Sequence, residues 1–189
     1  MTDPQQSPAV DAHYDYIIIG SGSGNSIPSP ELDEKSIAIV EKGVFGGTCL
    51  NVGCIPTKMY VYAADAALAA RDSGHLSIST EYRGADWAGI VDRVFGQRID
   101  PIAAGGEAYR RGGETPNIDV YDQHATFVGP KAIRTGQGAH EKIISGDNII
   151  IAAGSRPYIP STIAQSGVPY HTNEGIMRLP EQPKSIIIV

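Results

Sequence analysis

With 189 residues, 41% of them hydrophobic, the chain is long enough for one substantial core and the beginning of a second domain. Its formal charge of -6 argues against nucleic acid as the main partner, because phosphate-backbone binders present a basic face. No apolar run approaches the roughly 20 residues of a membrane-spanning helix, and residues 1–12 lack the basic start and apolar segment of a signal peptide. A soluble, cytoplasmic protein with no membrane partner is expected.

Residues 1–12 are polar and proline-containing and are expected to form a disordered tail. Tyr14-Asp15-Tyr16-Ile17-Ile18-Ile19, a β-branched and aromatic run stopped by glycine, predicts a buried parallel strand. Gly20-Ser21-Gly22-Ser23-Gly24-Asn25 comes directly after it, and then Pro28 and Pro30 rule out a long regular helix. Ser36-Ile37-Ala38-Ile39-Val40 predicts the second strand, closed by Glu41-Lys42-Gly43. The order strand, glycine turn, short helix, strand is that of a dinucleotide-binding fold. Gly20 permits the tight turn, Gly22 lets a pyrophosphate approach the backbone, and the helix start offers N–H groups to the anion. Glu41, about 20 residues on, is placed to take ribose hydroxyls. Asn25 stands where the strict pattern has its third glycine, with Gly24 just before it. NAD and FAD both fit this motif.

Gly46-Gly47-Thr48-Cys49-Leu50-Asn51-Val52-Gly53-Cys54-Ile55-Pro56-Thr57-Lys58 holds the only two cysteines of the chain. Between about Thr48 and Arg71 the sequence turns alanine-rich, with Val61, Ala64 and Leu68 at helical spacing. Both cysteines therefore fall on or just before the first turn of a long helix. The N–H groups and positive dipole end of such a helix favour a thiolate, and Lys58 lies four residues past Cys54 on the same face. A redox-active disulfide is the favoured reading. The alternatives are a structural disulfide, normally a feature of short secreted chains, two buried thiols, or a zinc site that two cysteines would leave half filled. A redox pair in turn favours FAD over NAD, since a disulfide does not accept hydride efficiently and a flavin converts hydride into thiol chemistry.

A second helical stretch is predicted from Asp86-Trp87, with Asp86 as its N-cap, toward Arg111, broken at Asp100-Pro101. Arg110-Arg111, the only adjacent basic pair, reads as a solvated helix end. Ile118-Asp119-Val120-Tyr121, Ala125-Thr126-Phe127-Val128 and Ala132-Ile133-Arg134-Thr135 predict three short antiparallel strands. Asn148-Ile149-Ile150-Ile151-Ala152-Ala153 predicts another buried strand, ending at Gly154-Ser155-Arg156-Pro157. Prolines 157, 160, 169, 180 and 183 then mark an extended connection, and Ser185-Ile186-Ile187-Ile188-Val189 has the pattern of a fresh parallel strand.

The cysteine stretch resembles, nearly throughout, the signature of the FAD-dependent pyridine-nucleotide disulfide reductases, the family of glutathione reductase and dihydrolipoamide dehydrogenase. Ala152-Ala153-Gly154-Ser155-Arg156-Pro157 is similar to that family's second flavin-contacting strand end, and the resemblance extends from about Tyr14 to Val189. Gly22-Ser23-Gly24-Asn25-Ser26, the shortened first helix and Arg98-Ile99-Asp100-Pro101-Ile102 look most like the mycothione reductase subfamily. The resemblance implies an α/β, Rossmann-like FAD-binding domain with a parallel sheet and a small antiparallel meander, truncated at the first strand of an NADPH domain. The divisions implied are 13–157 for FAD and the redox disulfide and 158–189 for the connection and that first strand.

Also by resemblance, Cys54 lies against the flavin ring, Cys49 is the outer thiol that attacks a disulfide substrate, and Lys58 sits near flavin N5. The cofactor contacts implied are Gly20, Gly22, Ser23, Gly24, Asn25, Glu41, Lys42, Gly47, Thr48, Cys49, Gly53, Cys54, Lys58, Ala153, Gly154 and Ser155, with a looser match at His124-Ala125. The implied substrate is a low-molecular-weight thiol disulfide, with NADPH as reductant, in a homodimer. Reductases of glutathione, dihydrolipoamide or mercuric ion, and a noncatalytic redox-sensing nucleotide module, are the alternatives. The family's proton donor is a histidine paired with glutamate near the far C-terminus of the partner subunit. The motif does not occur around His13, His75, His124, His140 or His171, so the chain is expected to be the FAD portion of a larger enzyme and inactive by itself.

Overall fold

A computed structural model describes residues 9–189; of the expected N-terminal tail, residues 1–8 lie outside the described residues. The chain divides into two compact units, one of residues 1–47 and 103–155, the other of 48–102 and 156–189.

The first unit is built on a six-stranded sheet of β1 (Ala12–Ile19), β2 (Ile37–Val40), β3 (Ile118–Tyr121), β4 (Thr126–Gly129), β5 (Ala132–Thr135) and β6 (Lys142–Ile151), in the order β3-β2-β1-β6-β5-β4. The expected α/β class holds. β1 pairs parallel with β2 and with β6, in registers Ile19↔Val40 and Ile19↔Ile151. Ile17, Ile18, Ile37 and Ile39 are completely buried, as continuous apolar runs in a sheet covered on both faces should be.

Two strand assignments differ from the sequence reading. β3 is not part of the meander but pairs parallel with β2, from Ile37↔Ile118 to Val40↔Tyr121. The chain between β2 and β3 is a long crossover, and a crossover returns a strand in the same direction whatever its own sequence looks like. The meander consists of β4, β5 and the first part of β6, which pairs antiparallel with β5 from Ala132↔Ser145 to Thr135↔Lys142. β6 is thus a ten-residue strand that begins at Lys142, and residues 148–151 are its continuation beside β1. Tyr14 anchors the buried side of this sheet. Its hydroxyl donates to Asp119 Oδ2 at 2.6 Å and shares a 2.7 Å hydrogen bond with the Tyr121 hydroxyl. Burial, and then the bond to Asp119, push the Tyr14 phenol well above its ordinary range.

The helices are α1 (Gly47–Val52), α2 (Cys54–Asp72), α3 (Trp87–Val91), α4 (Asp100–Arg111), α5 (Ser161–Ala164) and α6 (Asn173–Ile176), with a π-helical segment, Asp92–Ile99, joining α3 to α4. The predicted long helix is therefore split at Gly53. The Asp86 side chain caps α3 as expected, accepting from the Gly89 N–H at 3.0 Å. Pro101 does not break the second helical stretch. It comes directly after the π-helical segment, whose widened turns make room for the ring and the missing N–H within a continuous helical run.

In the second unit Val94, Phe95 and Ile99 form a buried cluster with Leu50, Met59, Tyr60, Ile90, Val91 and Met177 around them. The stretch read as an extended connection contains α5 and α6 and is pinned to this cluster. Tyr60 Oη donates to the Met177 carbonyl at 2.6 Å and Trp87 Nε1 to the Leu179 carbonyl at 2.9 Å. Arg178 places its guanidinium 3.8 Å from the Phe95 ring centroid and donates through both Nη atoms to Asp100. Ser185-Ile186-Ile187-Ile188-Val189 makes no strand pairing among the described residues, and Ile187, Ile188 and Val189 are 90%, 93% and 98% exposed. A β-branched run becomes a strand only when a neighbour satisfies its backbone, and the described residues offer none. Among the described residues no helix is long and apolar enough to cross a membrane.

Candidate functional site

Because β1, β2, β3 and β6 run parallel, their carboxyl ends share one edge of the sheet. Four stretches remote in sequence leave from that edge: residues 20–25 after β1, 41–47 after β2, 122–125 after β3 and 152–155 after β6. Between β1 and β6 the strand order reverses direction. Open α/β sheets hold ligands in the crevice at such a switch point.

Close backbone approach shapes the crevice. Gly20 has φ +106°, and a Cβ there would collide with the Ala152 carbonyl oxygen. Gly47, at φ +66°, lies against Gly22, so that a side chain on either would separate the two loops. The element after the turn is a four-residue 3-10 helix, Ser23–Ser26, and a second short one, Pro30–Leu32, comes after Pro28. The two prolines act as expected, and the anion-favouring dipole of a long helix is not available here. The sequence reading relied on the N–H groups of a helix start, and that start is here a single 3-10 turn. What this edge offers an anion is the backbone of the turn itself.

Glu41 is locked into the turn. Its Oε2 accepts from Ser21 N–H at 2.9 Å and Ser21 Oγ at 2.8 Å, and its Oε1 accepts from Gly43 N–H at 2.9 Å. Ser21 is fully buried, and its Oγ in turn accepts from Gly46 N–H at 3.0 Å, which ties the glycine turn to the start of the cysteine loop. Burial pushes the Glu41 carboxyl up, but the hydrogen bonds from Ser21, Gly43 and Lys42 outweigh it and hold the group below its ordinary value of 4.5. A depressed carboxyl stabilises the fold above its unfolded pKa and loses that contribution as pH falls through the folded value. Glu41→Gln is therefore expected to cost ~1–2 kcal/mol at pH 7, allowing for solvent screening of a half-exposed group. Urea titrations of variant and parent should converge as the pH falls through the folded value; an undiminished gap in acid would contradict the charge as the cause.

Asn25 is held by Arg110 from the last turn of α4, whose Nε donates to Asn25 Oδ1 at 2.8 Å and whose Nη2 donates to the Asn25 carbonyl at 3.0 Å. Arg110 is thus no solvated helix end. Only Arg111 behaves that way, with Glu107 and Asp122 as its partners. Ser21 and Arg110 are the two residues of this edge that sequence reasoning missed. Ser21 is signalled by its place between two glycines of the turn; Arg110 has no local signal, because its partner is 85 positions away.

Lys42, Ser23, His124, Ala153, Gly154 and Ser155 lie exposed along the same edge, and Gly22, Asn25 and Ala125 are half-buried there. The structure therefore gathers every residue of the first unit that the sequence singles out for a nucleotide. Thr48, Cys49, Gly53, Cys54 and Lys58 belong to the second unit.

In the second unit, Gly53 closes the cysteine loop. A Cβ there would come within 2.8 Å of the Thr48 carbonyl oxygen and 3.3 Å of Cys49 Cα, so only glycine lets α2 start hard against α1. The result is that the Cys49 and Cys54 sulfurs share a hydrogen bond, while the Cys54 and Ile55 N–H groups reach the Cys49 sulfur. Both cysteines are exposed. The helix start was expected to act on a thiolate at Cys54; here its first N–H groups address Cys49. The bond to Cys54 nevertheless dominates, and with desolvation it pushes the Cys49 thiol up. Buried Pro56 occupies the first turn of α2, where its missing N–H is not needed, and Thr57 Oγ1 donates to the Gly53 carbonyl at 2.6 Å. Lys58 is exposed one turn past Cys54. The arrangement can pass between dithiol and disulfide and exchange with an external disulfide.

A mostly parallel sheet with a nucleotide-type carboxyl edge is thus succeeded in sequence by an exposed cysteine pair. The chain belongs to the pyridine nucleotide-disulphide oxidoreductase family, whose model matches residues 14–189. It is 50% identical over 181 residues to the mycothione reductase of Mycobacterium tuberculosis, covering 93% of this chain and 38% of that protein. It is 30% identical over 188 residues to the dihydrolipoyl dehydrogenase of Bacillus subtilis, covering 93% and 39%. Among solved structures, the HOCl-induced flavoprotein disulfide reductase RclA of Escherichia coli superimposes with a TM-score of 0.70 at 25% identity, over 89% of this chain and 34% of that one. The chain spans about two fifths of the length of the curated relatives it matches.

Proposed function

We propose that this chain is the FAD-binding part of an NADPH-dependent disulfide reductase whose substrate is mycothione, with residues 13–157 carrying the nucleotide and the Cys49/Cys54 pair and residues 158–189 forming a connection toward a nicotinamide-binding part. The observation that carries the reading is the exposed, mutually hydrogen-bonded dithiol closed by Gly53. The 50% identity to a mycothione reductase, against 30% to a dihydrolipoyl dehydrogenase, supports the substrate. A reducing cytoplasm and a homodimer accord with the reading.

The carboxyl edge fits a dinucleotide. Gly20, Gly22 and Gly47 let the loops after β1, β2 and β6 close up on one another at that edge, and Glu41 presents a carboxylate already fixed in orientation by Ser21 and Gly43. A flavin bound there supplies the two-electron acceptor that takes hydride and delivers electrons to sulfur. The thiol steps belong to the chain's own residues. Reduction of the Cys49–Cys54 disulfide by two electrons yields the dithiol. The Cys49 thiolate attacks one sulfur of the substrate disulfide, and the first thiol leaves as a mixed disulfide forms. Cys54 attacks the Cys49 sulfur, the second thiol leaves, and the Cys49–Cys54 bond is restored.

The test is the colour of the purified chain and its stoichiometry. A yellow protein releasing about one FAD per chain on denaturation is expected. A colourless protein that oxidises its cysteines equally well and takes up no added FAD would instead mark a redox-sensing module.

A further inference from the structure

The strict glycine turn ends in a third glycine that packs the succeeding helix against the strand. This chain has Asn25 at that place, within only four residues of 3-10 helix before Pro28 and Pro30. So short a helix contributes almost no cooperative stability, and its own bonds are few: Asn25 N–H to the Gly22 carbonyl, Ile27 N–H to the Gly24 carbonyl and Ser26 Oγ to the Ser23 carbonyl. Glu41 fixes the start of the turn through Ser21, and a second tether holds its far end. Arg110 donates to Asn25 twice, side chain to side chain and side chain to backbone, in the forked geometry that only a guanidinium provides. Arg110 is half-buried, its guanidinium carbon lies 5.4 Å from the Tyr109 ring centroid, and its neighbour Arg111 takes up Glu107 and Asp122, so no carboxylate neutralises Arg110 among the contacts of these residues. The turn that is to receive a diphosphate therefore carries a fixed positive charge at its far end. Asn25 itself turns back on the loop, its N–H donating to the Gly22 carbonyl at 3.1 Å.

Resting on the nucleotide reading above, we propose that Arg110 is a positioning residue that acts through Asn25: the pair takes over the role of the missing third glycine and long helix, holding the turn in its diphosphate-ready shape while contributing positive charge to it. In this chain Asn25 is then a requirement of the clamp and not a tolerated departure from the pattern.

FAD affinity of the full chain, read by quenching of flavin fluorescence, tests this with Arg110→Ala, Arg110→Lys, Asn25→Ala and the double alanine variant. Each alanine variant is expected to bind FAD about 10-fold more weakly, and the double variant no more than about 20-fold, because the two residues act as one unit. Arg110→Lys should keep the charge but lose the fork and fall between. Arg110→Ala should also flatten the dependence of affinity on salt, which loss of a merely structural contact would not do. It is to be measured beside the thermal unfolding of the FAD-free chain, and if Arg110→Ala fails to fold, Arg110→Lys and Asn25→Ala carry the comparison. Unchanged affinity in these variants, strictly additive losses, or a loss with unaltered salt dependence would overturn the inference while leaving the nucleotide reading intact. Failure of the unsubstituted chain to take up FAD would instead overturn that reading, and the clamp with it.

Discussion

Reduced Cys54→Ser protein, mixed with a small disulfide, is expected to release one thiol and to keep the other as a mixed disulfide on Cys49. The unsubstituted reduced chain releases both, and Cys49→Ser releases neither at a comparable rate. The physical basis is the proposed order of attack, in which Cys49 opens the substrate and only a second sulfur held against it expels the remaining thiol. Loss of the attacking sulfur should slow exchange by roughly 10³-fold or more, the scale of a lost nucleophile. Intact-mass analysis reads the adduct directly and requires neither NADPH nor steady-state turnover. With FAD bound, the same two variants separate by colour: Cys49→Ser is expected to retain a long-wavelength absorption from the remaining sulfur and Cys54→Ser to lose it. Equal spectra and no trapped adduct in either variant would dispose of the assigned roles. Since the hydrogen bond to Cys54, and then desolvation, push the Cys49 thiol up, the exchange rate of the reduced chain should rise with pH into the alkaline range rather than level off near neutrality.

The second large effect is on the fold. Gly20→Ala is expected to destabilise the chain by ~2–6 kcal/mol, made up of ~1–3 for an alanine at positive φ and ~1–3 for forcing a methyl against the Ala152 carbonyl. Against a usual stability of about 5–15 kcal/mol, that is enough to lower Tm by roughly 4–24 °C in a chain of this size. Gly138→Ala is the control. It too has positive φ, +57°, but nothing lies within 4 Å of the added methyl, so it should cost only the conformational part, about 1 kcal/mol. Thermal unfolding of the two variants side by side checks the comparison. Equal losses would show that crowding at the β1–β6 crossing contributes nothing.

How much of this was legible in the chain depended on how local the cause was. Buried strands with continuous isoleucines, such as β1 and β2, announce themselves because burial on both faces leaves no polar alternation. The Asp86 cap and the effect of Pro28 and Pro30 were equally local. The direction of β3 was not, since four residues, Ile-Asp-Val-Tyr, have no means of encoding which neighbour they will meet. Nor was Arg110 legible beside Arg111: two identical side chains at the end of one helix differ only in what the rest of the fold puts opposite them. The run at residues 185–189 shows the converse, a strand pattern with strand propensity and no partner to pair with among the described residues.

By itself, the sequence determined the chemistry: which residues carry thiols, where glycine must stand, and where acidic Glu41 comes after the turn, because these depend on residue type and short spacing. Tertiary structure decided what that chemistry is joined to. It brought four chain-remote loops to one sheet edge through parallel pairing, locked Glu41 to Ser21, and turned Asn25 and Arg110 into a bonded pair. Hydrogen bonds between residues tens of positions apart form only once the sheet has set the distance, so no local pattern in the chain can announce them.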